Sequence, residues 1–202
     1  MADVDVQIHA KVPIRPVHLM AHSMGSEVIL EALHHLPAGI LLLTGASYHS
    51  RAVAALQTPA GQSAEVFNMT SRENDAFDYL YELAITPPLG GDRVISFGIQ
   101  SANAVNIQLE CATTLEQLNA FGLSIAPPKR RICHWSSYSR LGVLQFYRRL
   151  LRQPDALPLQ FLKDFLPDQP APRWSRLLAP RPLPAFLSGP ATMVRRQATL
   201  VN

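Results

Sequence analysis

Ser23 stands in the run Ala21-His22-Ser23-Met24-Gly25, between an apolar stretch and an amphipathic one. A serine hydroxyl attacks a carbonyl only when a base takes its proton, and that base is usually an oriented histidine. The run is a variant of the Gly-x-Ser-x-Gly pattern, with Ala21 in place of the first glycine. Such a pattern turns a strand so sharply into a helix that the serine is held in a strained backbone conformation between small neighbours. Ala21 carries only a methyl group. Gly25 is expected to let the new helix pass close to the strand, and His22 to pack within the turn. The backbone N–H of Met24, in the first turn of the helix, would face the negative oxygen that forms on attack. The competing reading is a serine that caps a helix in an unrelated α/β fold.

His134 is the candidate base. It is the sole histidine after residue 49 and sits in Cys133-His134-Trp135-Ser136-Ser137, ahead of the last strongly amphipathic stretch. Its alternative is a structural or exposed loop histidine. His34 and His35 fall on the polar strip of a helix, and His9, His18 and His49 have no consistent partner pattern. A carboxylate must hold the imidazole. Asp75 is the candidate, reached from the 65–69 strand through Thr70-Ser71-Arg72-Glu73-Asn74. An aspartate favoured by a helix N-terminus would look the same, and Asp78, Glu73 and Asp92 remain alternatives.

Strands and the helices between them must position these groups. Residues 16–21 and 40–44 form short apolar runs that predict buried strands, joined by a helix over 26–36 that stops at Pro37 and Gly39. The unbroken run Ile40-Leu41-Leu42-Leu43 fits a parallel sheet covered on both faces. Further strands are predicted at 65–69, 93–97 and 105–109. Helices are predicted at 51–56, closed by Pro59 and Gly61, and at 75–84, 115–119, 141–152 and 159–166. Residues 122–137 read as a long loop. The succession of buried strands and crossover helices makes this an α/β chain. Nine of the seventeen prolines occur from Pro154 onward, which predicts an extended, flexible tail over 167–202 after a domain over 1–166.

Composition limits the partners. Residues 1–128 hold five basic and twelve acidic side chains, and residues 129–202 hold thirteen and three. That asymmetry is an arginine-rich solvated face; without a recognition motif or an aromatic platform it does not point to nucleic acid. No apolar run is long enough to cross a bilayer. No Gly-rich phosphate loop and no metal-ligand spacing appears, so no cofactor or metal is expected. Cys111 and Cys133 suit reduced thiols, and the first residues lack a secretory leader, which together point to a cytoplasmic protein.

The pentapeptide and the helix after it resemble the α/β-hydrolase superfamily, in particular a bacterial branch near the serine esterases and lipases whose turn has this same Ala-His-Ser-Met-Gly sequence. The resemblance extends over about residues 12–152. It implies a mostly parallel sheet flanked by helices, and the chain order nucleophile, acid, base, hence Ser23, Asp75 and His134. It further implies an acyl-enzyme formed from a small-molecule ester, with amide, thioester and lipid substrates left open. The family sets several strands before its nucleophile and takes a second oxyanion donor from an early loop. Twenty-two residues precede Ser23 here, too few for those strands. The resemblance therefore implies either the C-terminal part of a longer protein or a sheet with an unusual exposed edge, and such an edge is able to self-associate. It also implies the loss of one oxyanion donor, which costs about 2.7–4 kcal/mol in the transition state. A weakly active or inactive fragment, or an interaction module, is the alternative.

Overall fold

The computed structural model describes residues 17–179. Four parallel strands form one sheet in the order of the sequence: β1 (Leu19–His22), β2 (Ile40–Thr44), β3 (Glu65–Thr70) and β4 (Ala104–Gln108). Leu19 pairs with Leu41, Leu42 with Phe67 and Phe67 with Val105. Each crossover carries helix: α1 (Gly25–Ala32) between β1 and β2, then α2 (His49–Leu56) and α3 (Pro59–Ser63), then α4 (Asp75–Ala84). After β4 come α5 (Ala112–Ala120), α6 (Ser136–Ser139), α7 (Val143–Arg152), α8 (Leu159–Phe165) and α9 (Ser175–Leu178).

The sheet is covered on both faces, which is why its strands are apolar without alternation. Leu41 and Leu43 pack with Ile29 and Leu30 of α1, with Leu33 just after it, and with Ala52, Ala55 and Leu56 of α2. Their neighbours Ile40 and Leu42 face the opposite core, with Phe67, Ile107, Phe146 and Leu150 of α7, and Leu162 of α8. Leu41, Leu42 and Leu43 are each 0% exposed, so burial of each contributes about 1.5–3 kcal/mol. β2 is thus the fixed centre against which its neighbours are registered.

Most predicted elements are present within a few residues of their expected ends. The strand expected at 93–97 is not. Val94 makes one isolated antiparallel bridge to Tyr48, and Ile95–Phe97 is a 3-10 turn. Asn68 Nδ2 donates to the Ile95 carbonyl at 2.7 Å, and the Ile99 N–H donates to Asn106 Oδ1 at 2.8 Å. Side-chain amides from two strands take the place of a ladder, while Ile95 and Ile99 fill the α1/α2 core. Pro59, expected only to end a helix, also opens α3, whose first turn is capped by Thr58.

The chain beyond residue 166 does not leave the domain at once. The Trp174 N–H donates to Asp75 Oδ2 at 2.6 Å, Arg173 pairs with Glu82 at 2.6 Å, and Arg131 donates to the Leu177 carbonyl at 2.7 Å. These contacts lay residues 173–179 against α4 and the loop before α6. The remainder of the expected tail, 180–202, lies outside the described residues, as does residue 16 of the first expected strand. β1 and β4 are the outer strands. Among the described residues, β1 has no strand partner on its outer side, and Met20 there is 52% exposed. No helix among the described residues is long and apolar enough to cross a membrane.

Candidate functional site

β1 ends at His22, and the next residue, Ser23, has φ 54°. That left-handed conformation costs an L-residue about 1–2 kcal/mol. It is held by a bond from the Ser23 N–H to the Thr44 carbonyl at 2.9 Å, one step past the β1–β2 ladder. The Ser23 carbonyl accepts from the Ser26 N–H at 3.0 Å, which starts α1. The strand-to-helix turn expected at Ser23 is therefore present, with the serine in the strained position.

The glycine that makes room for it is not the one in the pentapeptide. A Cβ on Gly25 would lie 3.6 Å from the Ala21 Cβ, an ordinary contact. A Cβ on Gly45 would lie 2.5 Å from the Ser23 Cα and 2.6 Å from its nitrogen, and Gly45 has φ 144°. Gly45, at the end of β2, lets the two strand ends approach closely enough for the turn to form. The close approach that a side chain would block is thus at Gly45, a position the pentapeptide does not include.

His22 does more than pack within the turn. Its ring stacks on Trp135 with centroids 4.2 Å apart, meets Tyr138 edge-on at 5.1 Å and lies 4.4 Å from the ring of His134. Tyr138 anchors the same loop by donating to the Ala21 carbonyl at 2.8 Å. His22 Nε2 is buried without a partner among the described residues. Burial, then the neighbouring His134, holds the His22 ring below the usual histidine range and so keeps it neutral near pH 7.

His134 lies between Phe77, with centroids 4.2 Å apart, and His22. Its loop is tied to the β3–α4 connection by a bond from the Cys133 N–H to the Glu73 carbonyl at 2.9 Å. Burial lowers the His134 pKa, so the imidazole is neutral at pH 7 and available as a base. Its Nδ1 is 2.8 Å from Asn74 Oδ1. Among the described residues, no hydrogen bond joins the Ser23 hydroxyl to His134; the two are linked through the His22–His134 contact.

Asp75, the expected orienting carboxylate, does not face His134. Its Oδ1 lies 3.3 Å from the Arg72 guanidinium, and its Oδ2 accepts from the Trp174 N–H. Burial pushes its carboxyl up, opposed first by Arg72 and then by the Trp174 N–H. The reason is helical phase. Successive residues of a helix diverge by about 100°, so at the start of α4 Asn74 and Asp78 share one side while Asp75 looks to another. The other candidate carboxylates are also elsewhere. Glu73 sits 3.7 Å from Arg140, and Asp92 accepts from the Ser50 hydroxyl at 2.5 Å. Asp78 accepts from Asn74 Nδ2 at 2.8 Å and is 0% exposed.

Asn74 is thus the functional candidate that reasoning from carboxylates passes over. Its signal in the sequence is the four-residue spacing to Asp78. The Met24 N–H has no hydrogen-bond acceptor among the described residues, which leaves it available to a ligand oxygen. Among the described residues, no group of three or more His, Cys, Asp or Glu side chains is arranged to hold a metal ion. A cleft of about 540 Å³ beside β4, lined by Gln100, Asn106, Lys163 and Asp168 among others, includes none of the groups around Ser23. The chain matches no family profile, no curated protein and no solved structure.

Proposed function

We propose that this chain is a serine hydrolase of the α/β-hydrolase type, acting on carboxylic esters through Ser23 and His134, with Asn74 in the place expected for Asp75. The observation that carries the reading is the backbone of Ser23, held at φ 54° by Thr44 and by the close approach of Gly45. Strain at one polar residue, where glycine would be relaxed, motivates a functional role for that side chain.

In the proposed reaction His134 Nε2 takes the Ser23 proton as the oxygen attacks the ester carbonyl. The Met24 N–H donates to the oxyanion, and the same imidazole then protonates the leaving alcohol. Water, activated by His134, attacks the acyl-enzyme and frees Ser23. Asn74 accepts from His134 Nδ1–H but brings no negative charge to the imidazolium. A bond to a charged partner is worth about 1–2 kcal/mol more than one to a neutral partner, so the amide costs roughly 5- to 30-fold in rate.

The test is a fluorophosphonate probe on the folded protein, with the adduct located by mass spectrometry. Labelling at Ser23, absent in Ser23→Ala, supports the reading; a folded protein without a Ser23 adduct refutes it. Because burial depresses the His134 pKa, the labelling rate is expected to stay level as pH falls toward the ordinary histidine value near 6.5 and to drop only below it. A second reading, a non-catalytic module, is favoured by the missing Ser23–His134 bond and by the side of β1 that has no strand partner among the described residues. It predicts no adduct, together with self-association that is lost on placing a charge at Met20.

A further inference from the structure

We propose that Asp78 is a positioning residue: through Asn74 it fixes the His134 imidazole in the tautomer that leaves Nε2 free to accept a proton. The inference rests on the reading of His134 as the base.

Three groups stand in line. His134 Nδ1 is 2.8 Å from Asn74 Oδ1, and Asn74 Nδ2 is 2.8 Å from Asp78 Oδ1. A primary amide is ambivalent, because its carbonyl accepts while its NH2 donates. An asparagine left to itself beside a histidine would present either end. With its NH2 toward Nδ1 it would force Nδ1 to accept and place the proton on Nε2, where it blocks general-base action. That inversion is why replacing the aspartate of a serine protease triad by asparagine costs about 10⁴ in kcat. An ionised carboxylate removes the ambivalence because it only accepts. Asn74 must give its NH2 to Asp78, its carbonyl is left for His134, and Nδ1 must carry the proton.

The surroundings of Asp78 suit that task. It is fully buried in α4, so no water competes for its Oδ1. Arg72 and Asp75 face it from the start of the same helical segment, Ser96 from the 3-10 turn, and Arg173 from the C-terminal segment. The two guanidiniums offset the loss of solvent. Burial still pushes its pKa up to about 6, which leaves it largely ionised at pH 8. The arrangement lets a neutral amide do the orienting half of a carboxylate's work, with the charge held one residue further back.

The tautomer of His134 is read on the full chain, labelled with 15N-histidine, from long-range proton–nitrogen correlations at about pH 8. The wild-type protein is expected to show a protonated Nδ1 and a bare Nε2. Asp78→Ala is expected to shift His134 partly or wholly to the Nε2–H form and to slow fluorophosphonate labelling by roughly tenfold or more, toward the 10⁴ limit of a fully inverted tautomer. The double variant Asn74→Asp with Asp78→Ala moves the charge next to the ring and is expected to restore Nδ1–H. A purely structural role for Asp78 would not be rescued in this way. An Nε2–H form in the wild type, or an unchanged tautomer in Asp78→Ala, overturns the proposal. Should Asp78→Ala fail to fold, the wild-type and double-variant spectra still decide, since Nε2–H in either refutes it. Control of the tautomer without any Ser23 labelling would sink the hydrolase reading and leave the positioning role standing.

Discussion

Replacing Ser23 by glycine and by alanine should separate the cost of its backbone from the chemistry of its side chain. Both substitutions remove the hydroxyl, which makes no hydrogen bond among the described residues, so that loss cancels between them. What differs is the fit to φ 54°. Alanine keeps the Cβ and with it the left-handed penalty of about 1–2 kcal/mol. Glycine escapes that penalty but gives up about 0.5–1 kcal/mol to the greater freedom of its unfolded chain. The balance favours Ser23→Gly over Ser23→Ala by about 0.5–1 kcal/mol. For a chain of this size that is a difference of roughly 1–4 °C in Tm, measurable by calorimetry and by denaturant titration of the two variants side by side. At an ordinary helix or strand position the order reverses, and alanine is the more stable. If Ser23→Ala proves as stable as Ser23→Gly, or more so, Ser23 is not held in the left-handed region, and the turn on which the functional reading stands is absent in solution.

The two glycines beside the turn should behave oppositely. Gly45→Ala drives a Cβ to 2.5 Å from the Ser23 Cα and is expected to cost about 3 kcal/mol or more, whereas Gly25→Ala, with an open 3.6 Å contact, should change stability by less than about 1 kcal/mol; thermal melts of the pair check both, and a mild Gly45→Ala contradicts the close approach. Asn74→Asp should raise the labelling rate of Ser23 by roughly 5- to 30-fold, because a carboxylate then meets the imidazolium. It should also lower stability at pH 8, where Asp78 must take up a shared proton. Asp75→Asn should lower the Tm through its lost contacts to Arg72 and Trp174 while leaving that rate unchanged, and a rate loss in Asp75→Asn with none gained in Asn74→Asp would return the orienting role to Asp75.

The parts legible in the sequence are those whose cause is local or repeated. β2 announces itself because a five-residue, largely apolar run set between Pro37-Ala38-Gly39 and Gly45 is too short for a buried helix and fits a strand covered on both faces. α7 does so because its apolar positions recur at helical spacing. The 93–97 segment carries the same apolar signal as a strand, yet its backbone groups are satisfied by Asn68 and Asn106, and no local pattern reports a partner supplied by another strand's side chain. The same limit applies at the site. The pentapeptide nominates Gly25, while the steric demand falls on Gly45 across the sheet. Among Glu73, Asn74, Asp75 and Asp78, a one-residue difference in helical phase decides which side chain meets His134. That phase is set where the 3-10 turn Arg72–Asn74 passes into α4, and composition carries no record of it.

Parallel topology explains why residues so far apart in sequence form one cluster. Ser23 follows β1, Thr44 and Gly45 close β2, Asn74 and Asp78 follow β3, and His134 lies beyond β4. In a parallel sheet every strand ends on the same side, so the segments after the strands converge at the carboxyl ends, where open α/β sheets place their ligands. The left-handed backbone of Ser23 would be relieved by glycine, and Asp78 is buried in the segment after β3. Both follow strands at the same end of the sheet, and Asp78 is joined through Asn74 to His134. If Ser23 is the nucleophile proposed above, Ser23→Gly is expected to stabilise the fold while abolishing fluorophosphonate labelling.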